Sequence, residues 1–150
     1  MLIKTTGDIF DSKCHVLVNT CNCYGAMGRG IALAMKLKYP AMYQAYRKLC
    51  KNTGNGTLRP GRVWPYKIND NRVIWNYMVK DHWRDAARME WIERCLRVTA
   101  EQYQQRNVRS IAMPYIGANN GWLPWEPIEA LIVKYMDPLP IRVELVSFKK

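Results

Sequence analysis

The chain has 150 residues, 49% of them hydrophobic and 11% aromatic, enough for one domain with a packed core. It carries 23 basic against 12 acidic residues, a net charge of +11, which argues against an acidic or neutral binding surface and towards an anionic partner, nucleic acid first. No apolar run nears the roughly 20 residues of a membrane span, the N-terminal "MLIKTTGDIF" lacks a secretory signal's long apolar stretch, and no repeat or low-complexity segment breaks the chain, so a single cytoplasmic domain over residues 1–150 is expected, monomeric and off the membrane.

In chain order, "HVLVNT" (15–20) is a β-branched run that predicts a buried strand. The loop "NTCNCYGAMGRGIA" (19–32) follows, with Gly25, Gly28 and Gly30 inside six residues. Ile31, Ala34, Met35 and Lys38 then share one helical face until Pro40 ends the helix. Met42, Ala45, Tyr46, Leu49 and Cys50 repeat at helical spacing and predict a second, amphipathic helix. "KNTGNGTLRPG" is a loop by its Gly, Asn and Pro content. "RVWPYKI" and "RVIWNYMV", separated by "NDN", predict a hairpin or two adjacent strands. Ile92, Cys95, Leu96, Thr99 and Tyr103 mark the buried face of a third helix. "RSIAMP" (109–114) is a strand that enters a second special loop, "YIGANNGW". A helix over 125–136 follows, with Pro127 in its first turn, and "IRVELVSF" closes the chain as a strand. The alternation predicts an α/β fold, a mixed sheet covered by helices.

Five cysteines, Cys14, Cys21, Cys23, Cys50 and Cys95, are an odd number for a disulfide framework. They form no CxxC pair, and His15 and His82 are far apart, so reduced structural thiols and no metal are expected. The two glycine loops share one plan. Each leaves a strand, carries Gly and Asn, and leads into a helix, where free amides attract phosphate oxygens. The spacing is G-x-x-G-x-G, neither the dinucleotide fingerprint nor a P-loop. By spacing alone a diphosphate clamp and a plain tight turn both remain open.

"GDIF", "VNTCNCYGAMGRGIALAMK" and "IAMPYIGANNGWLPWEPIEALI" together resemble a macrodomain, the ADP-ribose-binding fold, over nearly the whole chain. The resemblance implies a three-layer α/β/α architecture with a central mixed sheet, and ADP-ribose as ligand or product with no cofactor. The first loop is similar to that of the branch holding the DNA ADP-ribosylglycohydrolase antitoxins and the terminal ADP-ribose protein glycohydrolases. Yeast-type ADP-ribose 1''-phosphate phosphatases have a similar "CNC" loop.

Residue by residue, the resemblance implies that Asp8 accepts from the adenine amino group, with Ile9 beside it. Asn22 would hold the distal ribose, and Asn19 is counted among the ligand contacts. Gly28, Gly30 and Ile31 would form the first phosphate loop, and Gly117, Ala118, Asn119, Asn120, Gly121 and Trp122 the second. "NYMVKDHWR" (76–84) is similar to the antitoxins' "T-K-x-H-W-R", with Val79 in place of threonine, which implies that Lys80 acts at the anomeric carbon. A lysine there would donate a proton to the leaving group or, when neutral, attack as an amine. His82 is the second candidate for acid–base work and would suit a phosphatase. Trp83 and Trp122 are expected as ligand contacts among the six tryptophans.

The protein-directed enzymes of this branch pair their lysine with an aspartate in the second loop. Gly121 stands at that position, and no Asp or Glu lies between Gly117 and Trp125. An ADP-ribosylated nucleic acid is therefore the expected substrate, with the phosphatase activity or a non-catalytic ADP-ribose reader as alternatives.

Overall fold

The structure is a computed structural model, described here over residues 1–117 and 122–147. Six strands form one sheet in the order β1-β6-β5-β2-β4-β3: β1 Leu2–Thr6, β2 Val16–Asn22, β3 Val63–Asn69, β4 Arg72–Lys80, β5 Ser110–Met113 and β6 Arg142–Ser147. Five run parallel, and only β3 is antiparallel, to β4. Pro65 sits on that edge strand, where its missing N–H is tolerated.

The four helices are α1 Gly30–Lys38, α2 Pro40–Leu49, α3 Met89–Gln102 and α4 Trp125–Met136. They divide between the two faces of the sheet. Val16, Val18, Trp75, Tyr77 and Val79 pack with Ile92, Leu96, Ile128 and Ile132 of α3 and α4. Leu17 and Ile74 pack with Met35 and Met42 of α1 and α2 on the other face. Both central strands are thus buried on both sides, which is why β2 and β4 read as continuous apolar runs. The expected three-layer mixed-sheet architecture is the one observed.

Strand β2 runs two residues further than "HVLVNT" suggested, and His15 falls just before it. Pro40 is the first residue of α2, and Tyr39 caps both helices it separates. Cys50 is the cap of α2 rather than a helical residue. The α1 face behaves differently from its expected pattern. Only Met35 is fully buried, and Lys38 is exposed with its ammonium 5.2 Å from the Phe10 ring centre. Apolar residues on nearly every side of α1 left no polar stripe to define a face.

One irregularity lies where the two central strands end. Cys21 pairs with Met78, but Asn22 pairs with Lys80, so β4 carries one extra residue, Val79, at its last step. Such a bulge re-aims the side chain that follows it.

Candidate active site

Because β1, β6, β5, β2 and β4 are parallel, their C-terminal ends lie along one edge of the sheet. A cleft of about 740 Å³ opens there. It runs from Val146 and Ser147 of β6, past Tyr115 and Gly117 after β5, over the loop after β2, to Lys80 at the end of β4. Three strand spacings of about 4.8 Å make this span roughly 14 Å.

The loop after β2 is organised by Asn22. Its side-chain carbonyl accepts from the amides of Tyr24 (3.1 Å), Gly25 (3.1 Å) and Ala26 (3.3 Å), and from the Tyr46 hydroxyl (2.9 Å). Its Nδ2 donates to the Ala26 carbonyl at 2.8 Å. Asn22 lines the cleft, but four of its contacts hold the loop in shape. The loop is also tied to β4: the Cys23 amide donates to the carbonyls of Lys80 (3.1 Å) and Asp81 (3.2 Å). A Lys51–Asp81 ion pair closes the same corner.

Gly28, Gly30 and Ile31 line the cleft. A side chain at Gly28 would meet no protein atom within 4 Å, so the missing Cβ leaves open room on the cleft side. Gly30 has φ +56°, a left-handed conformation that costs other residues about 1–2 kcal/mol. Arg29 between them also lines the cleft and adds a cation that the loop's glycine pattern did not announce.

Lys80 is 8% exposed. Its Nζ donates to the Trp83 carbonyl at 3.4 Å and lies 4.8 Å from the centre of the Trp122 ring. Burial lowers its pKa from that of an ordinary lysine, Arg29 acts in the same direction, and Asp85 opposes. Trp122 and Gly117 bracket the second loop and both line the cleft. Gly117 has φ +71°, and a Cβ there would stand 2.7 Å from Cδ1 of Ile92. Trp122 holds φ +59°, a sparsely populated conformation for a large side chain, and is 61% exposed. Ala118, Asn119, Asn120 and Gly121 lie outside the described residues.

Three expectations change. Asn19 is fully buried and is not part of the cleft wall. It faces the α1/α2 layer in mid-strand, opposite Asn76, and donates to Asn76 Oδ1 (3.0 Å) and Cys21 Sγ (3.2 Å). His82 does not line the cleft. Its ring packs 4.4 Å from Tyr24 and its Nδ1 accepts from the Arg84 amide at 3.0 Å. Asp8 and Ile9 are also outside the main cleft. Asp8 stands just past β1, beyond β6, with its carboxylate accepting from the Phe10 amide at 2.9 Å, and Ile9 is buried. Asp8 does border a second, shallower hollow with Ser12, Arg142 and Glu144.

The thiols beside the loop are poor nucleophiles. All five cysteines are buried and unpaired. Burial pushes Cys23 up to about 12 and Cys50 up to about 11, and raises Cys21 well above an ordinary thiol. Among the described residues no group of His, Cys, Asp and Glu gathers in a way that would hold a metal ion. The cleft's chemistry is therefore cationic and aromatic. Tyr115, stacked on Trp125 at 4.0 Å and 8°, adds a further ring to its wall that no motif had flagged.

The Macro domain family model matches residues 18–132. A DNA ADP-ribosyl glycohydrolase of Thermus aquaticus is 38% identical over 142 residues, covering 93% of this chain and 39% of that protein. The chain thus spans about two-fifths of the length of that relative. An ADP-ribose 1''-phosphate phosphatase of Aspergillus clavatus is 46% identical over only 52 residues, 34% of this chain and 26% of that protein. The solved macrodomain of Thermus aquaticus DarG superposes with a TM-score of 0.86 at 37% identity, covering 100% of this chain and 99% of that one. Thermosipho africanus DarTG in complex with ADP-ribose gives a TM-score of 0.85 at 26% identity over 95% of this chain and 41% of that one.

Proposed function

The chain belongs to the macro domain family, and from that premise we propose that it removes ADP-ribose from a modified nucleic-acid base, with Lys80 as the catalytic residue. The observation that carries this reading is the position of Lys80. It is a largely buried cation, its pKa lowered by that burial, at the end of the strand next to the glycine loop. Along the cleft the order is Ser147, Gly117, Gly28–Ile31 and Lys80, following β6, β5, β2 and β4. In that order the cleft would take the adenosine end, the diphosphate and the distal ribose. The similarity to a DNA ADP-ribosyl glycohydrolase over 93% of the chain supports the substrate class, and the acid-free run 118–124 supports a base over a protein carboxylate as leaving group.

In the proposed reaction the diphosphate rests on the amides and open space of the Gly28–Gly30 loop, with Arg29 neutralising charge. The bond between the anomeric carbon and the base breaks, and positive charge builds on the ribose ring. The Lys80 ammonium gives a proton to the departing base, water adds its hydroxyl to the anomeric carbon, and the water's other proton returns to the Lys80 amine. His82 holds Tyr24 and the loop after β4 rather than reaching the substrate.

The test uses an ADP-ribosylated single-stranded oligonucleotide and mass detection of released ADP-ribose. Wild type releases it, and Lys80→Ala is slower by about 100-fold or more, the usual weight of a positioned acid. Equal rates for the two proteins would remove Lys80 from the reaction. The 52-residue phosphatase similarity keeps one other activity worth assaying: phosphate released from ADP-ribose 1''-phosphate, with none from DNA, would replace this reading.

A further inference from the structure

Past Lys80 the chain turns through His82, Trp83 and Arg84 before α3 begins. Trp83 and Arg84 both line the cleft at its β4 end. Trp83 is 43% exposed, a large apolar ring left in solvent on the wall of a cleft whose core positions are otherwise filled. The Arg84 guanidinium carbon lies 4.8 Å from the Trp83 ring centre. Among the described residues Arg84 forms no ion pair, whereas Arg88 pairs with Glu90 at 3.6 Å and Lys51 with Asp81. A cation without a counter-charge, on a chain of net charge +11, is placed for an anion from outside.

The strand order decides what arrives there. The cleft crosses β6, β5, β2 and β4 in turn. With the diphosphate over the loop after β2 and Lys80 at the end of β4, the group bonded to the anomeric carbon lies beyond β4, over residues 83–84. The Trp83 carbonyl accepts from Lys80 Nζ at 3.4 Å, so the backbone of residue 83 stands directly beside the amine. Resting on the reading above, we infer that Trp83 and Arg84 form the leaving-group subsite. The indole stacks on a base of a single DNA strand, and the guanidinium takes a flanking phosphate.

The experiment compares Trp83→Ala, Trp83→Phe and Arg84→Ala with wild type on an ADP-ribosylated single-stranded oligonucleotide, and measures free ADP-ribose affinity by calorimetry. Trp83→Ala should raise KM about 10-fold or more, with ADP-ribose Kd within about twofold, and Trp83→Phe should recover most of the loss because it keeps a ring. Arg84→Ala should flatten the dependence of log KM on log salt by about 0.7, the share of one single-strand phosphate. ADP-ribose affinity falling in step with turnover would make these residues part of the ADP-ribose site and overturn the subsite. Unchanged KM and unchanged salt slope would overturn it too. If wild type is active on DNA and the variants match it, only the subsite fails. If wild type releases nothing from DNA, or turns over only an ADP-ribosylated carboxylate peptide, the functional reading fails and the subsite with it.

Discussion

At the scale of the residue, Lys80, the proposed catalytic group, and Asn22, the organiser of the loop after β2, give the sharpest predictions. Burial lowers the folded pKa of Lys80 below the 10.5 of a free lysine. Between the two values the unfolded chain holds the proton and the folded chain releases it, so stability rises with pH across that window. Wild type should therefore gain stability relative to Lys80→Met as pH approaches 10.5, measured by urea unfolding in parallel at neutral and alkaline pH. The same shift gives activity a sign. A proton-donating Lys80 makes kcat/KM fall as pH rises through a midpoint below 10.5. A rate that climbs instead, with an adduct trapped by borohydride, would mean that the amine attacks the sugar. Asn22 acts on the loop before it acts on any ligand. Asn22→Ala strips the acceptor from three amides and the Tyr46 hydroxyl. It should cost about 2–3 kcal/mol in denaturant unfolding, and ADP-ribose affinity should fall with it. A variant as stable as wild type would show that the loop holds itself.

At the scale of the element, the glycine-bearing turns after β2 and β5 are backbone devices. Gly117→Ala forces a side chain into the left-handed region and onto the tip of Ile92. The Ile92 methyl can move, so the backbone term of about 1–2 kcal/mol dominates. Thermal unfolding should show that loss, with weaker ADP-ribose binding, and an unchanged midpoint would reject it. These turns were legible in the sequence because glycine and asparagine are chosen for backbone reasons that leave a local mark. So were β2, β4, α3 and α4, whose apolar spacing is set by burial on known periods. What escaped depends on parity and on long-range packing. Asn19 and Asn22 sit in the same motif, yet Asn19 falls in mid-strand and faces Asn76, while Asn22 reaches the strand end. His82 turned towards Tyr24, 58 residues earlier, a contact no local pattern encodes. Arg29 and Tyr115 enter the cleft only because the sheet order brings their loops together.

At the scale of the whole molecule, charge would separate the proposed substrate, ADP-ribosylated DNA, from free ADP-ribose. A DNA strand brings phosphates that free ADP-ribose lacks, and the chain has +11 to meet them. On ADP-ribosylated DNA, log kcat/KM should fall with log salt more steeply than log affinity for ADP-ribose, by about 0.7 for each strand phosphate contacted. Parallel slopes would mean that the basic surface takes no part. No helix among the described residues is long and apolar enough to cross a membrane.

The extra residue at the end of β4 has a consequence for how this site can vary. Tyr77 and Val79 face α3 and α4, while Met78 faces the opposite layer near Tyr46 and Cys50. Lys80 reaches its partner Asn22 only because Val79 is passed over in the pairing. The amine is thus placed by the number of residues before it, and the identity of residue 79 matters little so long as it fills the same core space. Val79→Thr should turn over DNA at a rate close to wild type. Removing Val79 altogether removes the bulge, so the lysine follows Met78 directly and takes the core-facing place that Val79 fills against α3 and α4. A single deletion in this strand should silence the proposed activity where a substitution at the same position does not.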